Sequence, residues 1–208
     1  MYVNAQELLL DRDFKQGFYV RNINTLAFEG PIRCDTSLAK PVWDIAEWGS
    51  KSSVLNIPQT TATDGMCKWA DPYKDFRFGF DGTQDYNLYF GVNSVSELNN
   101  KYRTANDPWP AFLIEQRFTP PYDFIGVGTG CPPLTDLDSL VFKIDTKLIY
   151  NQTTKTAGYD QNIHAAQFLI YFTVQNLNAS SKGYGKYIWL GLPIYDDRYN
   201  MYKGGITY

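Results

Sequence analysis

From Ala165 to Gln175 the chain alternates: Ala166, Phe168, Ile170, Phe172 and Val174 form an unbroken apolar side, and Gln167, Leu169, Tyr171, Thr173 and Gln175 share the other. Period two belongs to a strand with one face covered, and it excludes a helix, whose apolar positions recur every three to four residues. The same pattern runs through most of the chain, between clusters of Gly, Pro, Asn and Asp that mark turns. Gly17 to Phe28 reads as a half-buried strand and Pro41 to Trp48 as a short one. Lys74 to Phe80 sets Phe76, Phe78 and Phe80 against Asp75, Arg77 and Gly79, and Asp81-Gly82 then turns. Tyr86 to Val92 places Tyr86, Leu88, Phe90 and Val92 together. Ala111 to Phe118 turns Phe112, Ile114 and Phe118 inward, with Glu115 and Arg117 outward. Leu137 to Tyr150 is the cleanest alternation, with Leu140, Phe142, Ile144, Thr146 and Leu148 on one face. Lys186 to Leu192 is a further strand, followed by a Tyr-Asp-Asp loop.

Helix signals are few. Ala5 to Leu10 and Ser94 to Tyr102 are the two short candidates, the second capped by Ser94 or Ser96. Long loops are expected at Asn56 to Asp64 and at Thr119 to Thr135, where Pro120-Pro121 and Pro132-Pro133 disfavour helix. There is no internal repeat. About eight or nine strands without intervening helices predict an all-β fold, a two-sheet antiparallel β-sandwich of jelly-roll type, similar in architecture to concanavalin-like or galactose-binding-like domains. Residues 1–208 are expected to form one domain. Met201 to Tyr208 reads as a turn entering a new strand, which suggests a fragment of a longer polypeptide.

The 208 residues carry 19 basic and 22 acidic side chains, a formal net charge of −3, with no cluster of either sign. Nucleic-acid binding is therefore not expected, since phosphate neutralisation needs a basic stripe. No apolar run is long enough for a membrane span. Met1 to Leu10 lacks the charged and hydrophobic regions of a secretory signal. Cys34, Cys67 and Cys131 fit neither a dense disulfide framework nor a metal knuckle. They leave open one disulfide with a free thiol, or three buried thiols. Asn151-Gln152-Thr153 and Asn178-Ala179-Ser180 are sequons and mark exposed loops.

Aromatics make up 16% of the chain, including 16 Tyr and 5 Trp. Tyr and Trp combine an apolar ring with a polar edge, so they suit flat ligands covered in hydroxyls. On a sheet face such rings stack on the C–H faces of sugars while Gln, Asn, Asp and Arg reach the hydroxyls. Gln167, Tyr171, Thr173 and Gln175 have these types at strand spacing, and Tyr187 and Trp189 join them if the neighbouring strand shares the face. Arg117, with Glu115, is a further contributor. Trp43, Trp48, Trp69 and Trp109 sit beside turns, Trp109 in the loop Asp107-Pro108-Trp109-Pro110. Each is a core plug or a loop platform for a ligand.

Catalytic signals are thin. His164 is the only histidine, which excludes a His-rich metal site. Asp44 and Glu47 face opposite sides of one short strand and make a poor carboxylate pair for glycoside cleavage. Glu115 is the better single candidate, since burial between apolar neighbours raises a carboxyl pKa. Gly126 to Gly130 runs into Cys131-Pro132-Pro133 and cannot open a helix, so it is a loop and not a phosphate cradle. Asp196 with Asp197, and Asp136 with Asp138, are candidate ligands for a structural Ca²⁺; no other cofactor is expected.

In class the chain resembles jelly-roll alginate lyases, which carry a Gln-x-His triplet and a later Tyr-rich strand. Gln161-Asn162-Ile163-His164 is one residue longer than that triplet, and Tyr171 to Gln175 corresponds loosely to the strand. The resemblance implies a lyase site using His164, Tyr171, Arg117 and a Gln. The leading expectation is a non-catalytic, extracellular carbohydrate-binding module with Gln167, Tyr171, Thr173, Gln175, Tyr187, Trp189, Arg117 and Trp109 as contacts. The alternatives are a polysaccharide lyase or glycosidase using His164, Glu115, Arg117 and Tyr171, and an adhesion module.

Overall fold

The computed structural model describes residues 7–22, 25, 27–83, 86–118, 137–153, 156–176 and 178–199. They are mostly strand: β1 (Phe18–Arg21), β2 (Phe28–Ile32), β3 (Trp43–Trp48), β4 (Gln59–Thr61), β5 (Cys67–Ala70), β6 (Lys74–Phe80), β7 (Tyr86–Val92), β8 (Ala111–Glu115), β9 (Gln167–Gln175) and β10 (Tyr187–Asp196). Two single-turn helices, α1 (Ser94–Glu97) and α2 (Gln161–His164), and a 3₁₀ turn at Val54–Asn56 complete the described elements. The chain divides into two compact units, Met1–Val141 and Phe142–Tyr208.

The first unit holds two four-stranded sheets, in the orders β2-β1-β3-β8 and β4-β5-β6-β7. All pairings are antiparallel except β1 with β3. Their apolar faces share one core. Phe18 of β1 meets Phe76 and Phe78 of β6 edge-on, with ring centroids 5.2 and 5.0 Å apart. Trp69 of β5 stacks on Phe78, and Phe112 of β8 meets Phe76. Phe76 and Phe78 are fully buried, as the alternation of Lys74 to Phe80 predicts, while Phe80 at the strand end is 47% exposed. Each buried ring removes roughly 150–250 Å² from water, so truncating Phe78 would cost about 3–5 kcal/mol.

Two further ties hold this unit. A disulfide joins Cys34, after β2, to Cys67 of β5, with Cα atoms 5.9 Å apart. It selects one of the arrangements the sequence left open; Cys131 lies outside the described residues. Gly49 ends β3 at φ +65°, and a Cβ there would meet the Trp109 carbonyl oxygen at 2.3 Å, so only glycine lets the two loops approach.

In the second unit β9 and β10 form a two-stranded antiparallel ribbon. A long connection closes it through reciprocal bonds between Asn176 and the Gly185–Lys186 backbone. Among the described residues no helix is long and apolar enough to cross a membrane.

Several expectations are corrected. Leu137–Tyr150 forms no strand: it lies outside every ladder, with Leu140, Val141, Ile144 and Leu148 exposed. Alternation shows which side chains a strand would bury, but a strand also needs a neighbour for its N–H and C=O groups. Gly17 to Phe28 is not one strand; it turns back after Arg21, where Asn22 N–H donates to Ala27 O at 2.8 Å, and β2 begins at Phe28. Polar Asn22 and Thr25 cap this turn, Thr25 N–H donating to Asn22 Oδ1. Ala111 to Phe118 stops pairing at Glu115. The Asn56 to Asp64 loop contains β4. The strand beginning near Lys186 continues through Tyr195 to Asp196, so the Tyr-Asp-Asp loop is partly strand. Helix α1 stops at Glu97 and is capped by Asn93, not Ser94 or Ser96, because the Asn93 side chain reaches Ser96 N–H. Glu7–Leu10 is not helical; so short a segment gains too few hydrogen bonds to offset nucleation. Thr119 to Thr135, with Gly126 to Gly130, and Met201 to Tyr208 lie outside the described residues.

Candidate functional site

The β9–β10 register assembles most of the expected face. Gln175 pairs with Tyr187, Thr173 with Trp189 and Tyr171 with Gly191. Directly opposed residues point to the same side of a sheet, so Tyr171, Thr173, Gln175, Tyr187 and Trp189 share one surface. Their rings touch: Trp189 lies 5.6 Å from Tyr171 and 5.9 Å from Tyr187, centroid to centroid, and each neighbouring pair is inclined by 44°. Tyr171, Tyr187 and Trp189 are 47, 60 and 63% exposed. The opposite side of β10 is as open, with Ile188 and Leu190 62 and 55% exposed, so the aromatic row is distinguished by its ring contacts rather than by exposure.

Gly191 makes the row continuous. A Cβ there would come within 3.0 Å of Tyr171 Cε1, so the ring lies across the space a side chain would occupy. Sequence reading missed this residue. Its only signal was a glycine at the strand position where the alternation calls for a face residue, and a glycine there weakens a strand without showing what fills the gap.

The start of the ribbon is held by its polar residues. Gln167 Nε2 donates to Asp196 Oδ2 at 2.7 Å, and Arg198 Nε donates to the same carboxylate at 2.9 Å. Those bonds, that of Arg198 foremost, hold the Asp196 carboxyl down at about 2. Asp197 accepts from the Ala166 N–H and from Thr153 Oγ1, at 3.0 and 2.6 Å. Asp196 and Asp197 thus fix the ribbon's end, and no group of three metal-ligating residues occurs among the described residues. Asp138 lies in an exposed loop, and Asp136 is outside the described residues.

His164 closes α2. Its Nδ1 accepts from the Asp160 N–H at 2.7 Å, and its ring packs against Tyr159. His164 and Tyr171 belong to the second unit, whereas Glu115, Arg117 and Trp109 belong to the first. Arg117 donates to Glu115 at 2.9 Å, and the Arg103 guanidinium lies 3.8 Å over the Trp109 ring.

Glu115 also has a partner that spacing could not reveal. It pairs with Asp44 across β3 and β8, and Arg21 Nη2 donates to both carboxylates, to Asp44 at 2.6 Å. Burial pushes the Asp44 carboxyl up to about 6 against the opposing pull of Arg21. The Nε of Arg21 is buried and has no hydrogen-bond partner among the described residues.

The fold and the face define a β-rich protein with an exposed aromatic row on a two-stranded ribbon. Compared with protein-family models, curated proteins and solved structures, the chain matches none.

Proposed function

We propose that this protein is a non-catalytic carbohydrate-binding module, built on a sandwich of the two four-stranded sheets, with its glycan contact on the β9–β10 ribbon. The observation that carries the reading is the solvent-exposed row Tyr187–Trp189–Tyr171, flanked by Thr173 and Gln175. Stacked rings cover the apolar faces of sugars, and the amide and hydroxyl groups supply donors and acceptors beside them. The Cys34–Cys67 disulfide supports an extracellular setting, where such bonds persist.

Affinity electrophoresis in polysaccharide gels tests the reading, with product assays on the same samples. Retardation without products is the expected result. Trp189→Ala or Tyr171→Ala should weaken it sharply with the fold intact. Wild-type retardation by both variants would refute the assigned face.

A second reading, a glycan-cleaving enzyme, has one supporting observation: the Asp44–Glu115 pair, one carboxyl raised and both joined by Arg21. Glycoside hydrolysis uses a pair of carboxyl groups. Released reducing ends, lost in Glu115→Gln, would favour it.

A further inference from the structure

Granting a glycan on the β9–β10 face, we infer that its ligand is a neutral polysaccharide bound as a single soluble chain, and neither a uronate or sulfated chain nor a crystalline surface.

The charge argument comes from the residues of the face. Leu169, Tyr171, Thr173 and Gln175 of β9 oppose Tyr187, Trp189, Gly191 and Pro193 of β10. None carries a charge near neutral pH. An anionic chain brings a carboxylate or sulfate on most residues, and proteins meet such groups with Arg forks or Lys. At the Asp196 end, Arg198 is bonded to the Asp196 carboxylate, so that pair adds no net charge. At the other end, Lys182 and Lys186 lie in the connection between the strands, outside the paired residues of the face. Aromatic faces are themselves negative, which draws in the polarised C–H groups of a neutral sugar and disfavours an adjacent anion.

The physical form follows from ring geometry. Neighbouring rings in the row are inclined by 44°, at centroid spacings of 5.9 and 5.6 Å. A flat crystalline face cannot lie parallel to two planes inclined to each other, so it would meet one ring of each pair and leave the other. A free chain turns at each glycosidic bond and can offer successive sugars to successive rings.

The test is affinity electrophoresis of the intact protein against soluble neutral polymers (β-glucan, xylan, galactomannan) and anionic ones (alginate, polygalacturonate, chondroitin sulfate), at low and high salt. A pull-down on microcrystalline cellulose runs alongside. Retardation by a neutral polymer is expected, unchanged by salt and weakened about tenfold or more in Trp189→Ala, a loss of about 1.4 kcal/mol or more. Trp189→Phe, which keeps a ring, should retain most of it, separating lost stacking from lost folding. Capture only by anionic polymers, sensitive to salt and lost in Trp189→Ala, would overturn this inference and leave the binding-module reading standing. Capture only by crystalline cellulose would do the same. Binding to nothing in the panel would overturn both.

Discussion

The carboxylate of Glu47 and the ammonium of Lys74 are bonded to each other inside the first unit's core, with side chains only 7 and 3% exposed. β3 and β6 each contribute one partner of this pair, and Lys74 also donates to the Ser52 carbonyl. Glu47 also accepts the Val54 N–H at 2.8 Å, which anchors the 3₁₀ turn. Removing one partner of such a pair leaves a buried charge without compensation. Lys74→Met should therefore destabilise the protein by about 3–5 kcal/mol. The double variant Glu47→Gln/Lys74→Met, which keeps an acceptor for Val54, should lose clearly less. Urea denaturation of the four proteins in the cycle measures both, and additive losses would contradict the pairing.

Gly191→Ala should uncouple binding from stability. The new methyl reaches the Tyr171 ring at 3.0 Å, and that ring is a half-exposed side chain that can swing aside. The midpoint of thermal unfolding should move little, while glycan retardation weakens about as much as in Tyr171→Ala. Unchanged retardation would show that the Tyr171 ring position does not matter.

Stability should fall as pH rises from about 4 to about 6. The folded Asp44 carboxyl titrates at about 6, above its unfolded value, so within that window the folded state keeps a proton that the unfolded state has released. Above the window the contribution is gone; its size is about 3 kcal/mol. Asp44→Asn should flatten this slope in urea titrations across pH. Asp196 has the opposite sign: Arg198 holds its carboxyl at about 2, so its contribution is present above pH 4 and lost on acidification toward 2.

Cys34 and Cys67 close a loop with a sequence separation of 33 residues. Constraining that loop in the unfolded chain is worth about 3–4 kcal/mol. Cys34→Ser/Cys67→Ser should lower the melting temperature to that of the reduced wild type, and reductant should no longer affect it. A variant melting at the oxidised wild-type temperature would rule the bond out as a stabiliser.

The alternation of Lys74–Phe80, Tyr86–Val92 and Gln167–Gln175 was legible as strand because side-chain direction along a strand is a local property. So was the split of β9 into an apolar side and a Gln-Tyr-Thr-Gln side. The same rule misread Leu137–Tyr150, because a strand also requires a partner elsewhere in the chain. Glu115 stood out as a mid-strand carboxylate, but its bonds to Arg21 and its pairing with Asp44 depend on which residues β1, β3 and β8 set side by side.

The sequence by itself determined that this is a β protein, and that Tyr171, Thr173 and Gln175 lie on one polar-aromatic side, because period two is set by the backbone of each segment alone. Only the tertiary structure decided that Tyr187 and Trp189 complete that side, that Gly191 makes room for Tyr171, and that Cys34 bonds Cys67. Those outcomes depend on strand register and on contacts between distant segments, and the free energy that selects them is shared across whole sheets rather than carried by any single stretch of residues.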